Sequence, residues 1–431
     1  MCKFPKGKAG FKTIRKENYV YIDKTRYIEL LENTHEQAIL FLRPRRFGKT
    51  LFISMLDSYY DINSESEFET LFKGTYIYEH PTDLHNQYYV LRFDFSGLNT
   101  QTPDILMSDF HEQIYQTCTE FLGRYHFDIR LNKGTSAASC FNGFISKMRV
   151  HLPKDKKIYT IIDEYDHYAN ELLSFDFDSF GNILSKHVYI RKFYEVLKKG
   201  TLGVIAQIFI TGVSPITLDS ITSGFNISTN LTNDPRLNDM LGFTSKDMEY
   251  LISLVDCIKN PEDILTKMKQ YYDGYLFSKN GVNHMFNPNM ALYYLDYYQS
   301  FSREPEELVD PNIYSDYAKL ESLLRIKPNT AHQQVIADVL SNREVICRLT
   351  TTYTINNNHD EENDFSLDDF ISLLFYLGYL TISGSKGVRV YLKVPNEVIK
   401  NVYFDYFRAM LDNKDENAAK DMVKKYIWQI N

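Results

Sequence analysis

The chain has 431 residues, of which 44% are apolar and 24% charged, the balance of a soluble globular protein with room for two or three domains. Its formal net charge of -8 argues against a broad nucleic-acid-gripping face, which has to be basic to displace counterions, but leaves room for a small local basic patch. Cys2, Cys118, Cys140, Cys257 and Cys347 stand far apart with no CxxC pair, which excludes a zinc framework or a disulfide scaffold and fits reduced thiols in the cytosol. Met1 to Lys16 is polar and lysine-rich without an apolar core, so no secretory signal is read there. No apolar run approaches the ~18 residues of a membrane span, and a cytoplasmic protein without a membrane partner is expected. The 33 tyrosines are spread along the chain, which reads as the codon usage of an AT-rich genome and not as a clustered binding surface.

Taken in order, the first half alternates short apolar runs with helical segments, the pattern of a parallel sheet flanked by helices. Four runs read as buried strands: Ala38 to Leu42, Tyr89 to Phe95, Ile158 to Ile162 and Val204 to Thr211. Arg92 and Gln207 interrupt the second and fourth, which places both nearer a sheet edge. From about residue 240 the pattern turns helical. Asn260-Pro261-Glu262-Asp263 and Asn287-Pro288 each pair a capping Asn with Pro in a first turn. Residues 355–365 are polar and acidic and read as a loop. Then follow a helix from Phe370 to Leu377, strands Tyr379 to Ile382 and Val388 to Val394 joined through residues 383–387, and a helix from Asn396 to Met410. Helix, hairpin, helix suggests a winged-helix-like module. The expected division is 1–238 for the α/β unit, 239–330 for a helical lid and 331–431 for that module.

The first strand runs into Arg43-Pro44-Arg45-Arg46-Phe47-Gly48-Lys49-Thr50 and then the apolar-faced helix beginning at Leu51. Strand, short loop and Gly-Lys-Thr opening a helix are the setting of a P-loop, or Walker A motif. Gly48 lets the backbone approach phosphates, and helix-start N–H groups point at them. Lys49 supplies a mobile charge for the β and γ phosphates of ATP, and the Thr50 hydroxyl is a ligand for Mg²⁺. Arg43 stands where the consensus has glycine, so the loop is unusually basic. Residues 43 to 51 together form the expected nucleotide cradle.

The third strand ends in Asp163-Glu164, followed by Tyr165-Asp166. Beside a P-loop such a pair has the Walker B form: Asp163 for the metal, Glu164 to orient and deprotonate the attacking water. Two adjacent strand residues point to different sides, which would separate the two tasks. Asp166 is either a further metal-shell group or a helix cap. At the fourth strand's end Thr211, with Ser214 behind it, is a candidate to sense the γ-phosphate or hold the water; the alternative is an ordinary strand-to-loop cap.

With these motifs the chain resembles the bacterial AAA-ATPase-like proteins whose N-terminal domain carries an Arg-Pro-Arg-Arg-Phe-Gly-Lys-Ser/Thr loop. Arg43 to Thr50 matches that loop, including the missing first glycine. Further matches are Tyr21-Ile22-Asp23-Lys24-Thr25, Ile162 to Asp166, Thr211 to Pro215, Leu241-Gly242-Phe243-Thr244, Tyr272 to Phe277 and Phe286-Asn287-Pro288. The resemblance implies a P-loop ATPase. It departs at Leu276, where the family usually has Arg, which puts a nucleotide-sensing arginine there in doubt. Many relatives continue into a PD-(D/E)XK nuclease-like domain. No such carboxylate-lysine set is read here, so no nuclease activity is expected.

Three functions stay open: an ATP-hydrolysing switch, a nucleotide-holding interaction module with little turnover, and a DNA-linked ATPase of mobile-element or defence systems. Arg236 is the candidate trans-acting arginine. The hairpin offers Lys386, Arg389 and Lys393 to DNA, but packing on a protein partner or a second copy is the preferred role.

Overall fold

The computed structural model describes residues 2–175, 188–215, 225–310, 330–351 and 366–412. The acidic stretch at 355–365 lies outside them. Five strands, β1 (Ala38–Leu42), β2 (Tyr88–Asp94), β3 (Lys157–Asp163), β4 (Ile205–Gly212) and β5 (Ser228–Asn230), form one sheet in the order β2-β3-β4-β1-β5. Every pairing is parallel. All five residues of β1 and the last six of β3 are buried, because helices cover both faces.

Alternation along β2 shows the two layers. Tyr88 meets Tyr60 of the helix Lys49–Tyr60 on one face. Phe93 meets Phe141 and Phe193, from the helices Ala137–His151 and Val188–Gly200, on the other. By the same period of two, Arg92 and Asp94 share the face of Tyr88. β2 is the edge strand its arginine suggested. β4 is not an edge strand; it lies between β3 and β1. Gln207 is tolerated there because its amide, oriented to satisfy both of its groups, donates to the Glu36 and Gln37 carbonyls. The short, polar β5 carries no apolar signature and is held by its pairing to β1.

The helices Ser245–Ser253, Pro261–Tyr272 and Pro288–Phe301 build a second core around Met248, Leu251, Met268 and Tyr294. Asn287 caps its helix through Asn289 N and Met290 N, whereas Asn260 makes no side-chain cap. The N-terminal segment belongs to both bodies. Phe4, Val20 and Ile22 pack with the second core, while Phe11 of the helix Phe11–Lys16 joins the first core and donates its N–H to Ser54 Oγ at 2.9 Å.

At the C-terminal side the helix Leu367–Tyr376, strands β6 (Val345–Cys347), β7 (Thr381–Lys386) and β8 (Arg389–Lys393), and the helix Glu397–Asp412 form a module with an antiparallel sheet in the order β6-β8-β7. β7 runs further than its apolar pattern, through a register shift after Ile382, so the turn shrinks to Gly387 and Val388. This module rests on the loop after β1. A Cβ at Gly378 (φ +86) would stand 2.9 Å from Pro44 Cβ, and Leu276 N donates to Thr381 Oγ1 at 2.7 Å.

Candidate active site

β1 delivers the chain to Gly48, which adopts φ 91, ψ 20 and caps the helix Lys49–Tyr60 with no side-chain cap bond. Glycine suits this left-handed position on backbone grounds alone, since an added Cβ would meet nothing within 4 Å. The uncapped first-turn N–H groups therefore stay open for an anion. Gly48, Lys49, Thr50 and Leu51 line a cavity of about 480 Å³ between the sheet's C-terminal edge, the N-terminal segment and the helical lid. Lys49 is buried. Its Nζ donates to Arg43 O at 3.2 Å and Pro44 O at 3.3 Å, and lies 3.4 Å from Glu164 Oε1.

Asp163 closes β3 at the same end of the cavity. It is 1% exposed, and its Oδ1 has no hydrogen-bond partner. Oδ2 stands 3.7 Å from Arg92 Nη2. Burial, reinforced by the Glu164 carboxylate, pushes the Asp163 pKa up to about 6, against the opposing pull of Lys49 and Arg92. Glu164 has already left the strand, with φ 50, a region few non-glycine residues occupy. The expected strand alternation is thereby broken, and Asp163 and Glu164 line one cavity together. An orphaned, buried carboxylate oxygen on Asp163 and a threonine, Thr50, lining the same cavity fit a hard divalent cation that takes one or two carboxylates and fills its shell with phosphate oxygens and water.

Several expected residues are not brought in. The Arg43 side chain points away from the cavity. It is fully buried, donating to Leu42 O, Thr232 O and Leu237 O at 2.8–2.9 Å, with its guanidinium 4.1 Å from the Phe41 ring and 4.3 Å from the Phe277 ring. Desolvation lowers its pKa to about 9. A carbonyl cage has claimed the side chain that sequence assigned to phosphate. Pro44 is taken by the contact with Gly378 and does not line the cavity, whereas Arg45, Arg46 and Phe47 do. Thr211 sits opposite Phe41 in the β1–β4 register and donates its hydroxyl to Phe41 O at 2.9 Å. It is an inter-strand tie outside the cavity lining, a different role from either the γ-phosphate sensor or the strand-to-loop cap expected. Asp166 and Ser214 bond each other. Leu276 lies outside the lining, and Arg236 is exposed and paired with Asp234 at 2.7 Å.

Sequence reasoning missed the other end of the cavity. Val20 and Ile22 from the N-terminal segment, Met240, Leu241 and Phe243 from the segment before the helix Ser245–Ser253, and Leu292 from the helix Pro288–Phe301 add apolar side chains to its wall. Lys24 bridges the two sides, donating to Asp247 Oδ2 at 3.1 Å. The only trace in the sequence was that Tyr21 to Thr25 and Leu241 to Thr244 are family-like segments without an assigned task. Arg92, Asp94 and His167, all near the acids, carried no motif at all.

A family model described as predicted AAA-ATPase, AAA-ATPase-like, matches residues 5–222, the span that contains both Gly48 to Leu51 and Asp163-Glu164. The chain belongs to that family. A curated relative from Azotobacter chroococcum mcd 1, an uncharacterized protein in the vnfD 5' region, is 25% identical over 298 residues, 66% of this chain and 51% of the relative. The chain thus spans about half the length of that relative. Among solved structures, the Aeropyrum pernix ORC2 protein in ADPNP and ADP complexes overlaps 93% of this AAA-ATPase-like chain and 98% of its own at 11% identity and a TM-score of 0.41. The Drosophila ORC bound to DNA overlaps 93% and 92% at 10% identity and a TM-score of 0.35. At those scores neither likeness carries an argument about a residue here. No helix among the described residues is long and apolar enough to cross a membrane.

Proposed function

We propose that this chain binds Mg·ATP in the cavity and hydrolyses its terminal phosphoanhydride bond, working as a nucleotide-dependent switch. The observation that carries the reading is the convergence of Lys49, Asp163 and Glu164 on one end of a cavity opened by an uncapped helix start. In this reading the β and γ phosphates compete with Glu164 for the Lys49 ammonium. Their arrival frees Glu164 to take a proton from water while the water oxygen attacks the γ-phosphorus and the bond to the β,γ-bridging oxygen breaks, releasing ADP and phosphate. Thr50 and the unpartnered Oδ1 of Asp163 would hold Mg²⁺, which offsets phosphate charge. Arg45 and Arg46 favour a triphosphate over a monophosphate.

The test is Lys49→Ala, which is expected to abolish binding of a labelled ATP analogue. Binding as tight as wild type would remove the phosphate assignment. The same Lys49–Glu164 contact favours a second reading, a module that holds nucleotide and turns it over only when a partner separates the pair. Steady-state ATPase rates with and without DNA, beside mass measurement with ATP, separate the two. For the C-terminal module we favour a winged-helix-like packing role over DNA binding. Its contacts with Pro44 and Leu276 support that, while Lys386, Arg389 and Lys393 are exposed for the alternative.

A further inference from the structure

Glu164 needs an explanation that the nucleotide does not supply. A glutamate at φ 50 persists only where its surroundings over-determine it. The residues that follow it are tied to the exit of β4 on both sides. Tyr165 N donates to Thr211 O at 3.1 Å, and Tyr165 Oη to Ser214 O at 2.7 Å. Asp166, which is 0% exposed and outside the cavity lining, accepts from Ser214 N at 2.6 Å, Val213 N at 3.1 Å, Ser214 Oγ at 3.1 Å and Asn170 Nδ2 at 2.6 Å. Three N–H donors, with a Ser214 hydroxyl shared between Asp166 and Asn170 Oδ1 at 2.9 Å, bind this buried carboxyl and offset part of the burial that raises its pKa. Gly212 completes the fit, since a Cβ there would lie 2.2 Å from Asp166 Oδ1 and 2.6 Å from the Tyr165 ring.

We propose that Asp166 is a positioning residue: by locking the turn after β3 to the exit of β4, it holds Glu164 in its left-handed conformation and aims that carboxylate into the cavity. The proposal rests on the reading of Glu164 as the base. Asp166 does not line the cavity, so it acts through the turn. Losing it leaves Lys49, Thr50 and Asp163 in place. The cost falls on orientation of the base, and hence on kcat and not on affinity.

The test is a double-mutant cycle on the full chain, with ATP turnover and ATP-analogue affinity read together. Asp166→Asn keeps the shape but turns an amide donor toward backbone N–H groups. It is expected to lower kcat roughly 10- to 100-fold, the scale of a misplaced reacting group, with affinity held within about twofold. In a Glu164→Gln background the same change is expected to cost less than about threefold, because the group it orients is gone. Gly212→Ala, which pushes on Asp166 and Tyr165 from the other side, is expected to follow the same pattern. Equal losses in both backgrounds, or an unchanged kcat in Asp166→Asn, would overturn the proposal and leave the base reading intact. A wild-type rate in Glu164→Gln alone would instead remove the base reading, and the proposal with it. If Asp166→Asn does not fold, Ser214→Ala removes the hydroxyl shared between Asp166 and Asn170 and carries the same cycle, with a loss of roughly 3- to 10-fold expected in the parent and none in Glu164→Gln.

Discussion

The two ends of the cavity are built by different rules. The end proposed for phosphate comes from two contiguous motifs, Gly48 to Thr50 at a helix start and Asp163-Glu164 at a strand end, and it is charged and in part left-handed. The opposite end is apolar and drawn from segments more than two hundred residues apart, Val20 and Ile22 on one side, Met240 to Phe243 and Leu292 on the other. Chemistry that must aim a charge at a moving atom needs residues locked by their own backbone. An apolar wall needs only side chains of adequate size in the right place, so any part of the chain can supply it. Loss of the aimed acid at the first end, Glu164, is therefore expected to change turnover with binding kept, and variants at the second to change affinity with turnover kept.

The sharpest contrast is expected at Glu164. Glu164→Gln keeps shape and removes the base, so turnover is expected to fall by roughly 10²–10⁴ while binding survives on Lys49, Thr50 and Asp163. Asp163→Asn is expected to weaken Mg²⁺-dependent binding as well as turnover. If wild type, with every partner tried, hydrolyses ATP no faster than Glu164→Gln, the phosphate end is a holder and the contrast between the two ends disappears.

Within the basic loop the comparison repeats on a smaller scale, and it is read in stability. Arg43→Met leaves the Thr232 and Leu237 carbonyls without their buried donor, and a loss of about 3 kcal/mol in denaturant unfolding is expected, the scale of breaking a buried charged network. Arg45→Ala and Arg46→Ala, on the cavity side, are expected to cost less stability than Arg43→Met and to narrow the preference for ATP over AMP. A stable Arg43→Met protein with weakened ATP binding would return Arg43 to the phosphate.

These contrasts mark what was legible beforehand. The buried strands and the Gly-Lys-Thr and Asp-Glu segments were readable because each is local: a run of apolar residues, then a fixed spacing. Arg43 was misassigned for the same reason. Its neighbours in sequence are phosphate residues, whereas its partners in space are the carbonyls of Thr232, Leu237 and Asn238, nearly two hundred residues on. Thr211 failed in the same way, since one hydrogen bond across the sheet to Phe41 O decides its task. β4 looked like an edge strand because Gln207 is polar, yet its amide finds two carbonyls at residues 36 and 37. Glu164's left-handed turn leaves no mark in composition at all.

A smaller effect separates function from stability at the phosphate end. The Asp163 carboxyl has a folded pKa near 6, above its ordinary 3.8, with burial as the main cause. The fold therefore binds this proton more tightly than the unfolded chain does. Its contribution favours folding below about pH 4 and is lost as pH rises through 6. Asparagine never ionises. In nucleotide-free protein Asp163→Asn is expected to raise stability at pH 8, by of order 1–3 kcal/mol for a shift of this size, with the gain shrinking at pH 5. Thermal unfolding at the two pH values measures it. A variant less stable than wild type at pH 8 would mean that the ion pairs with Lys49 and Arg92 outweigh desolvation.

The smallest expected effect belongs to the apolar end. Ile22 is half-buried, packs with the second core and lines the cavity together with Leu241 and Leu292. With the phosphates at Lys49, a nucleotide that extends along this apolar wall would set its adenine base against Ile22, away from the bond that breaks. Ile22→Ala removes three carbon atoms of contact, of which the cavity side is only a part, so a loss of about 1 kcal/mol is expected at roughly 0.8 kcal/mol per buried CH₂. Ground state and transition state hold the base alike, and a uniform contact of this kind raises KM without touching kcat. The expected result is a KM for ATP about fivefold higher, with kcat within experimental scatter. Affinities for ATP and ADP are expected to fall together, since both carry the same base. A drop in kcat at unchanged KM would place Ile22 in the closure that assembles the phosphate end, and the two ends would then have to be treated as one device.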